Sequence, residues 1–165
     1  MKKILLGVAA ATILAAPAMA APGDTATAQG SATAEVVAPI TLNHVTNAAL
    51  SFGTFTTGTT GGTVVVDQAG DGVASSDVTL IGGSLESADA FTVAGDNGRS
   101  FSITTTSGSV SNGTDTMDFT TDAPQSGTLS ATGTASFAVG GTLTVAGGES
   151  AGDYSGTYDV TVTYN

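Results

Sequence analysis

The chain has 165 residues, no Cys, 14 acidic residues against three Lys plus Arg, and a formal net charge of −11. That length suits one domain with a core of its own. The missing Cys excludes disulfides, thiol chemistry and a lipid anchor on an N-terminal Cys, and the acidic surface excludes a nucleic-acid binder or a binder of anionic lipid.

The first twenty residues read as a secretory signal peptide. Lys2 and Lys3 supply the positive start, Ile4 to Ala15 the apolar run, and Ala18-Met19-Ala20 the small-x-small cleavage pattern. The mature chain is expected to begin at Ala21 and to be exported, passing through the periplasm to the cell surface or the medium. The apolar run is too short to span a bilayer and no second stretch is long enough, so no membrane insertion is expected of the mature form. Once Lys2 and Lys3 leave, Arg99 is the only strong base. One base minus 14 acids gives −13. A chain without Lys cannot form the Lys–Asn cross-links of Gram-positive pilins.

After Ala21, small residues alternate with polar ones. Ala26, Ala28, Gly30, Ala32, Ala34 and Val36 share one parity with Ala38, Ile40 and Leu42, while Thr25, Thr27, Gln29, Ser31, Thr33 and Glu35 hold the other. The period of two predicts a long strand over 26–42, at a sheet edge or broken at Pro39, which lacks a ladder donor. Leu50-Ser51-Phe52 continues as strand, with a bulge or a close backbone approach at Gly53. Thr56 to Gly62, all Thr and Gly, reads as loop. Strands follow at 63–67 and 77–81 around the turn Ala69-Gly70-Asp71-Gly72. Ser84 to Ala90 is the one stretch suited to a helical turn. Further strands are predicted around Phe91, over 100–106, over 110–121 with a hairpin at Asn112-Gly113, over 131–139, and over 142–146 after a Gly140-Gly141 turn. Phe52, Phe91, Phe101, Phe119 and Phe137 sit at apolar positions of these alternations and are the expected core.

The last stretch, Tyr154 to Asn165, alternates most clearly. Tyr154, Gly156, Tyr158, Val160, Val162 and Tyr164 take one parity, and every intervening residue is polar. A sheet that ends on such a strand can leave an edge open to a partner. Nine or ten short strands between turn signals, without a convincing helix, indicate an all-β sandwich.

Chemistry is sparse. His44 is the only His and no nucleophile motif stands near it, so it reads as an ordinary loop residue. Asp115 with Asp118 is the nearest approach to a carboxylate pair, but Trp is absent and Tyr scarce, so a sugar platform is hard to build. No cofactor is expected, and the chain is not expected to be an enzyme. Asp67 and Asp71, in a Gly-rich loop, are the nearest approach to Ca²⁺ ligands, set against a turn that simply uses Asp and Gly.

Three stretches carry a resemblance. Leu50-Ser51-Phe52-Gly53, Gly141-Thr142-Leu143-Thr144-Val145 and Ala151-Gly152-Asp153-Tyr154-Ser155-Gly156-Thr157-Tyr158 resemble, in this order, motifs of the DUF4402 family of secreted bacterial proteins. That family is similar to spore-coat-U-like and chaperone–usher fimbrial subunits. In those, an immunoglobulin-like sandwich lacks its last strand. A periplasmic chaperone lends one, and the next subunit's N-terminal extension replaces it at the outer-membrane usher. Their last strand carries a penultimate Tyr and a Gly fourteenth from the end, as Tyr164 and Gly152 do here. The Cys that many of them carry after the first strand is missing.

The resemblance implies a signal peptide at 1–20, an N-terminal extension at 21–36 and an immunoglobulin-like sandwich at 37–165. Ala26, Ala28, Gly30, Ala32, Ala34 and Val36 would be the donor face, and Gly152, Tyr154, Tyr158, Val160, Val162 and Tyr164 the strand beside which donor or chaperone inserts. The expected function is a structural subunit of a surface fibre, with like subunits, a chaperone and an usher as partners. The alternative is a stand-alone secreted adhesin or matrix-binding module, with or without Ca²⁺.

Overall fold

The computed structural model describes Gly23 and residues 25–165. The signal peptide expected at 1–20 and its cleavage site lie outside the described residues. The chain divides into two units between Glu35 and Val36. In the first unit, residues 25–35 are exposed and belong to no strand.

Val36–Asn165 forms thirteen strands: β1 (Thr41–His44), β2 (Ser51–Phe52), β3 (Phe55–Val66), β4 (Gly72–Leu80), β5 (Glu86–Ser87), β6 (Asp89–Ala94), β7 (Ser100–Thr105), β8 (Gly108–Ser111), β9 (Thr116–Asp122), β10 (Ser126–Thr128), β11 (Thr134–Val145), β12 (Ser155–Thr157) and β13 (Val160–Tyr164). Every pairing is antiparallel, and no described residue is helical. The fold is an all-β sandwich of curled sheets.

Two long strands carry the chain between layers. The first half of β11 pairs with β6, whose other side holds β1. Its second half pairs with β3 on one side and β9 on the other. Gly140-Gly141 lies between the halves and is not the turn that its composition suggests. Glycine is needed there because the neighbours crowd in. A Cβ on Gly140 would strike the Val66 carbonyl oxygen and stand 2.8 Å from the Asp67 carbonyl carbon. Gly140→Ala is expected to cost about 1–3 kcal/mol, as overpacking does, read as a lower midpoint in thermal unfolding followed by circular dichroism. An unchanged midpoint would mean that β3 and β11 are not so close.

The last strand also changes layers. Its pairing runs Thr157↔Ser109 in β12–β8 and Val160↔Thr105 in β13–β7, so three steps on one strand face four on the other. That one-residue slip is a bulge, which bends a strand and raises its twist. The Asp159 N–H donates to Thr106 Oγ1 at 2.9 Å and holds the break. The single strand expected over 154–165 is therefore two short ones, yet its parity survives. Tyr154, Tyr158, Val160, Val162 and Tyr164 are all part-buried, and the intervening residues are exposed. Gly156 is the exception, being exposed itself.

Two apolar clusters follow from these crossings. Val93, Phe101, Ile103 and Leu129 form one, flanked by Leu42, Phe137, Val160, Val162 and Tyr164, so β1–β6–β11 packs there against β7–β13. Val64, Val66, Val78, Met117, Phe119, Leu143 and Val145 form the other, inside the sheet of β3, β4, β8, β9 and β11, with Phe52 packed against Phe119 at 5.8 Å between ring centroids. Of the five core Phe, Phe52, Phe91, Phe101 and Phe119 are buried and Phe137 is part-buried.

Other expectations fail for local reasons. The strand predicted over 26–42 is confined to Thr41–His44. Ala, Gly and Ser bury little apolar area, so alternation alone does not hold residues 26–36 to a sheet. Thr56–Gly62, read as loop, lies within β3, where Thr suits the pleat and the glycines absorb a register shift between Thr57 and Gly62. Ser84–Ala90 makes no helical turn. Glu86 and Ser87 pair with Phe52 and Ser51. Between the strands predicted over 110–121 and 131–139 the structure adds β10, Ser126–Thr128.

Candidate functional site

The sandwich is open along one seam. Among the described residues β1 pairs with β6 only, β12 with β8 only and β13 with β7 only, so each offers an edge unpaired within them. At one end of the seam side chains close it. Ile40, Leu42, Val160, Val162 and Tyr164 join one cluster. The Tyr164 hydroxyl accepts from Asp96 N–H at 2.6 Å and donates to the Ala38 carbonyl at 3.0 Å. Towards the other end the walls part, leaving a groove of about 520 Å³. His44, Ala48, Ala49, Leu50 and Phe52 line one wall, Tyr154 to Val160 the other, and Asp89, Phe91, Val110 and Phe119 the floor.

The floor is apolar and largely aromatic apart from one carboxylate. Tyr158 meets Phe119 edge-on, with centroids 6.1 Å apart, and Phe91 at 6.5 Å. Asp89 is only 5% exposed. A buried carboxylate is costly unless hydrogen-bonded, and this one has three donors. Its Oδ1 lies 2.6 Å from His44 Nε2 and accepts from the Ala90 N–H at 2.8 Å, and its Oδ2 accepts from the Tyr158 hydroxyl at 2.7 Å. An ionised carboxylate only accepts, so the His44 tautomer that serves this contact is the one with a proton on Nε2. Burial, then the Asp89 hydrogen bond and charge, push the Tyr158 phenol far above its ordinary range, so it stays a donor.

Three of the six residues read as lying along the acceptor strand line this groove, Tyr154, Tyr158 and Val160, and Gly156 from the same stretch lines it with them. Val162 and Tyr164 sit in the closed half, and Gly152 is exposed beside Asn112. Gly156 has a steric reason to be Gly, because a Cβ would strike the Ser109 carbonyl oxygen across the pairing with β8. The donor-face residues Ala26, Ala28, Gly30, Ala32, Ala34 and Val36 are exposed and outside any strand, Val36 at 96%.

Sequence reasoning missed Asp89 and took His44 for an ordinary loop residue. A signal existed: Asp89 shares its parity with Phe91 and Val93, an acid in an apolar alternation. Asp67 and Asp71 do not converge. Asp67 Oδ1 accepts from the N–H groups of Ala69 and Asp71, both at 2.9 Å, as an Asp in a turn does. Asp115 is held below the usual carboxylate range by hydrogen bonds from the Ser150 side chain and backbone, so it braces the loop before β12. Among the described residues, no three of His, Cys, Asp or Glu gather as a metal site would need, and no helix is long and apolar enough to cross a membrane.

Residues 40–164 match the family described as Domain of unknown function (DUF4402). The chain belongs to the DUF4402 family. Within this DUF4402 domain, two of the three motif stretches meet at the groove, since Leu50, Phe52, Tyr154, Gly156 and Tyr158 all line it. The third, Gly141 to Val145, runs through β11 beneath Phe52, where a Cβ on Gly141 would come within 3.5 Å of the Phe52 ring. No curated protein and no solved structure matches the chain.

Proposed function

We propose that this DUF4402 chain is an exported structural subunit of a surface fibre, assembled by strand donation. The observation that carries the reading is the open seam: unpaired edges on β1, β12 and β13 flank a groove with an apolar floor. An added strand would supply main-chain hydrogen bonds to those edges and alternate side chains to the floor. Residues 26–36 have the right character for it. They are exposed, outside any strand and alternating, with small side chains that enter a slot already filled from below by Phe91, Phe119 and Tyr158.

The other long edge argues by contrast. Among the described residues β4 pairs only with β3, but Ser76 takes φ 60° and Asp77 points its carboxylate at the Thr60 N–H. A bulge and a charge blunt an edge against pairing. The seam carries no such bulge on β1, and its aromatic floor invites cover.

The donor is a second copy. The chain enters the domain beside the closed end, where Tyr164 holds the Ala38 carbonyl, whereas the groove opens at the Leu50–Tyr154 end. A periplasmic chaperone would fill the groove in transit, and an usher would exchange its strand for the next subunit's extension. The single Arg against 14 acids suits a solvated surface outside the cell.

Purified mature protein is expected to form filaments in electron micrographs and ladders on gels that survive mild heating, because a buried donated strand leaves slowly. A stable monomer that neither ladders nor captures a peptide of residues 25–37 would replace this reading with the stand-alone module.

A further inference from the structure

We infer that His44, Asp89 and Tyr158 form a clasp that holds the two walls of the groove at a set separation, ready for a strand. The inference rests on the strand-donation reading and adds the residues that position its site. The three come from three places: His44 from β1 on one wall, Tyr158 from the break between β12 and β13 on the other, and Asp89 from β6 on the floor.

The walls need such a link. No backbone hydrogen bond joins β1 to β12 or β13 among the described strands. At the closed end apolar packing and the Tyr164 bridge do the joining. At the open end Asp89 receives both walls at once, 2.6 Å from His44 Nε2 and 2.7 Å from the Tyr158 hydroxyl. Its third donor, Ala90 N–H, fixes the carboxylate to its own strand. Hydrogen bonds to a buried charge are the strong and directional kind. The clasp also aims the Tyr158 ring across the floor against Phe91 and Phe119, which places the side chain a donor would rest on.

A groove organised in advance loses less freedom when it is filled, so it captures a strand faster and holds it longer. Tyr158→Phe keeps the ring and removes only the link to Asp89. Asp89→Asn keeps the shape and gives up the charge.

The test uses the full mature chain at a concentration too low for self-assembly and a fluorescent peptide of residues 25–37. Anisotropy gives capture and release rates. Both variants are expected to weaken capture about tenfold or more, the loss typical of one hydrogen bond to a charged group, with a slower on-rate. Amide exchange across 154–160 is expected to rise in the absence of peptide. Ile103→Val, in the other cluster, lowers stability without touching the clasp and is expected to capture as the wild type does.

Capture by Tyr158→Phe and Asp89→Asn at wild-type rates would overturn the clasp and leave strand donation standing. An equal loss in Ile103→Val would also overturn it, because the effect would then be one of general stability. No capture by the wild type would overturn the strand-donation reading and the clasp with it.

Discussion

Ala32→Asp is expected to stop fibre assembly, while Thr33→Asp, one residue along, leaves it intact. Both variants add one carboxylate at a position that is exposed and outside any strand, so neither is expected to disturb the folding of residues 36–165. They differ in where the carboxylate goes on assembly. Ala32 shares its parity with Ala28, Gly30 and Ala34, the face that the strand-donation proposal lays on the groove floor. Thr33 belongs to the outward parity. An unpaired carboxylate pressed against Phe91, Phe119 and Tyr158 costs several kcal/mol unless it protonates, and about 1.4 kcal/mol already changes an equilibrium tenfold. Filament yield by electron microscopy and gel ladders of the two variants give the comparison. Equal assembly would show that the alternation is not a donor register.

Phe101→Ala is expected to give the largest loss of stability, about 3–5 kcal/mol as for other buried aromatic truncations. Phe101 is 1% exposed and is among the largest fully buried side chains. It faces Tyr164 on β13 and Gly127 on β10, so its ring anchors both neighbours of β7. A Cβ on Gly127 would lie 2.5 Å from its Cζ, so the ring fills the space under that Gly. Small domains have about 5–15 kcal/mol in total, and this one has no disulfide to fall back on. Urea unfolding is the measurement. Phe55→Ala, at the part-buried rim of the other cluster, is expected to lose distinctly less. Equal midpoints for the two variants would contradict the described burial.

Alternation was the reliable signal wherever the apolar residue was large. Phe101 and Ile103, Met117 and Phe119, and Val160 and Val162 each keep the inward parity that their spacing implies, because moving a strand by one residue would expose a whole face. Turn chemistry was equally local: Asn112-Gly113 stands between β8 and β9, with Asn112 Oδ1 accepting from the N–H groups of Thr114 and Asp115. The same signal misled where the alternating residues were Ala and Gly. Over 26–40 the pattern is as regular as in the last strand, but it buries too little to form one.

Length, charge, the all-β class, the inward face of the last strand and most of the core were thus determined by the sequence itself, since each depends on residue type and on neighbours a few positions away. Tertiary structure alone decided that Gly140-Gly141 lies within a strand, because only the closeness of the Val66 carbonyl tells a crossing from a turn. It alone decided the seam, because whether an edge is free depends on every other strand. It also turned His44 and Asp89 from unremarkable residues into a linked pair. They stand 45 positions apart, and Tyr158 another 69 beyond Asp89. No local pattern joins such residues, and the cost of burying a carboxylate is met only when the fold brings its donors to it.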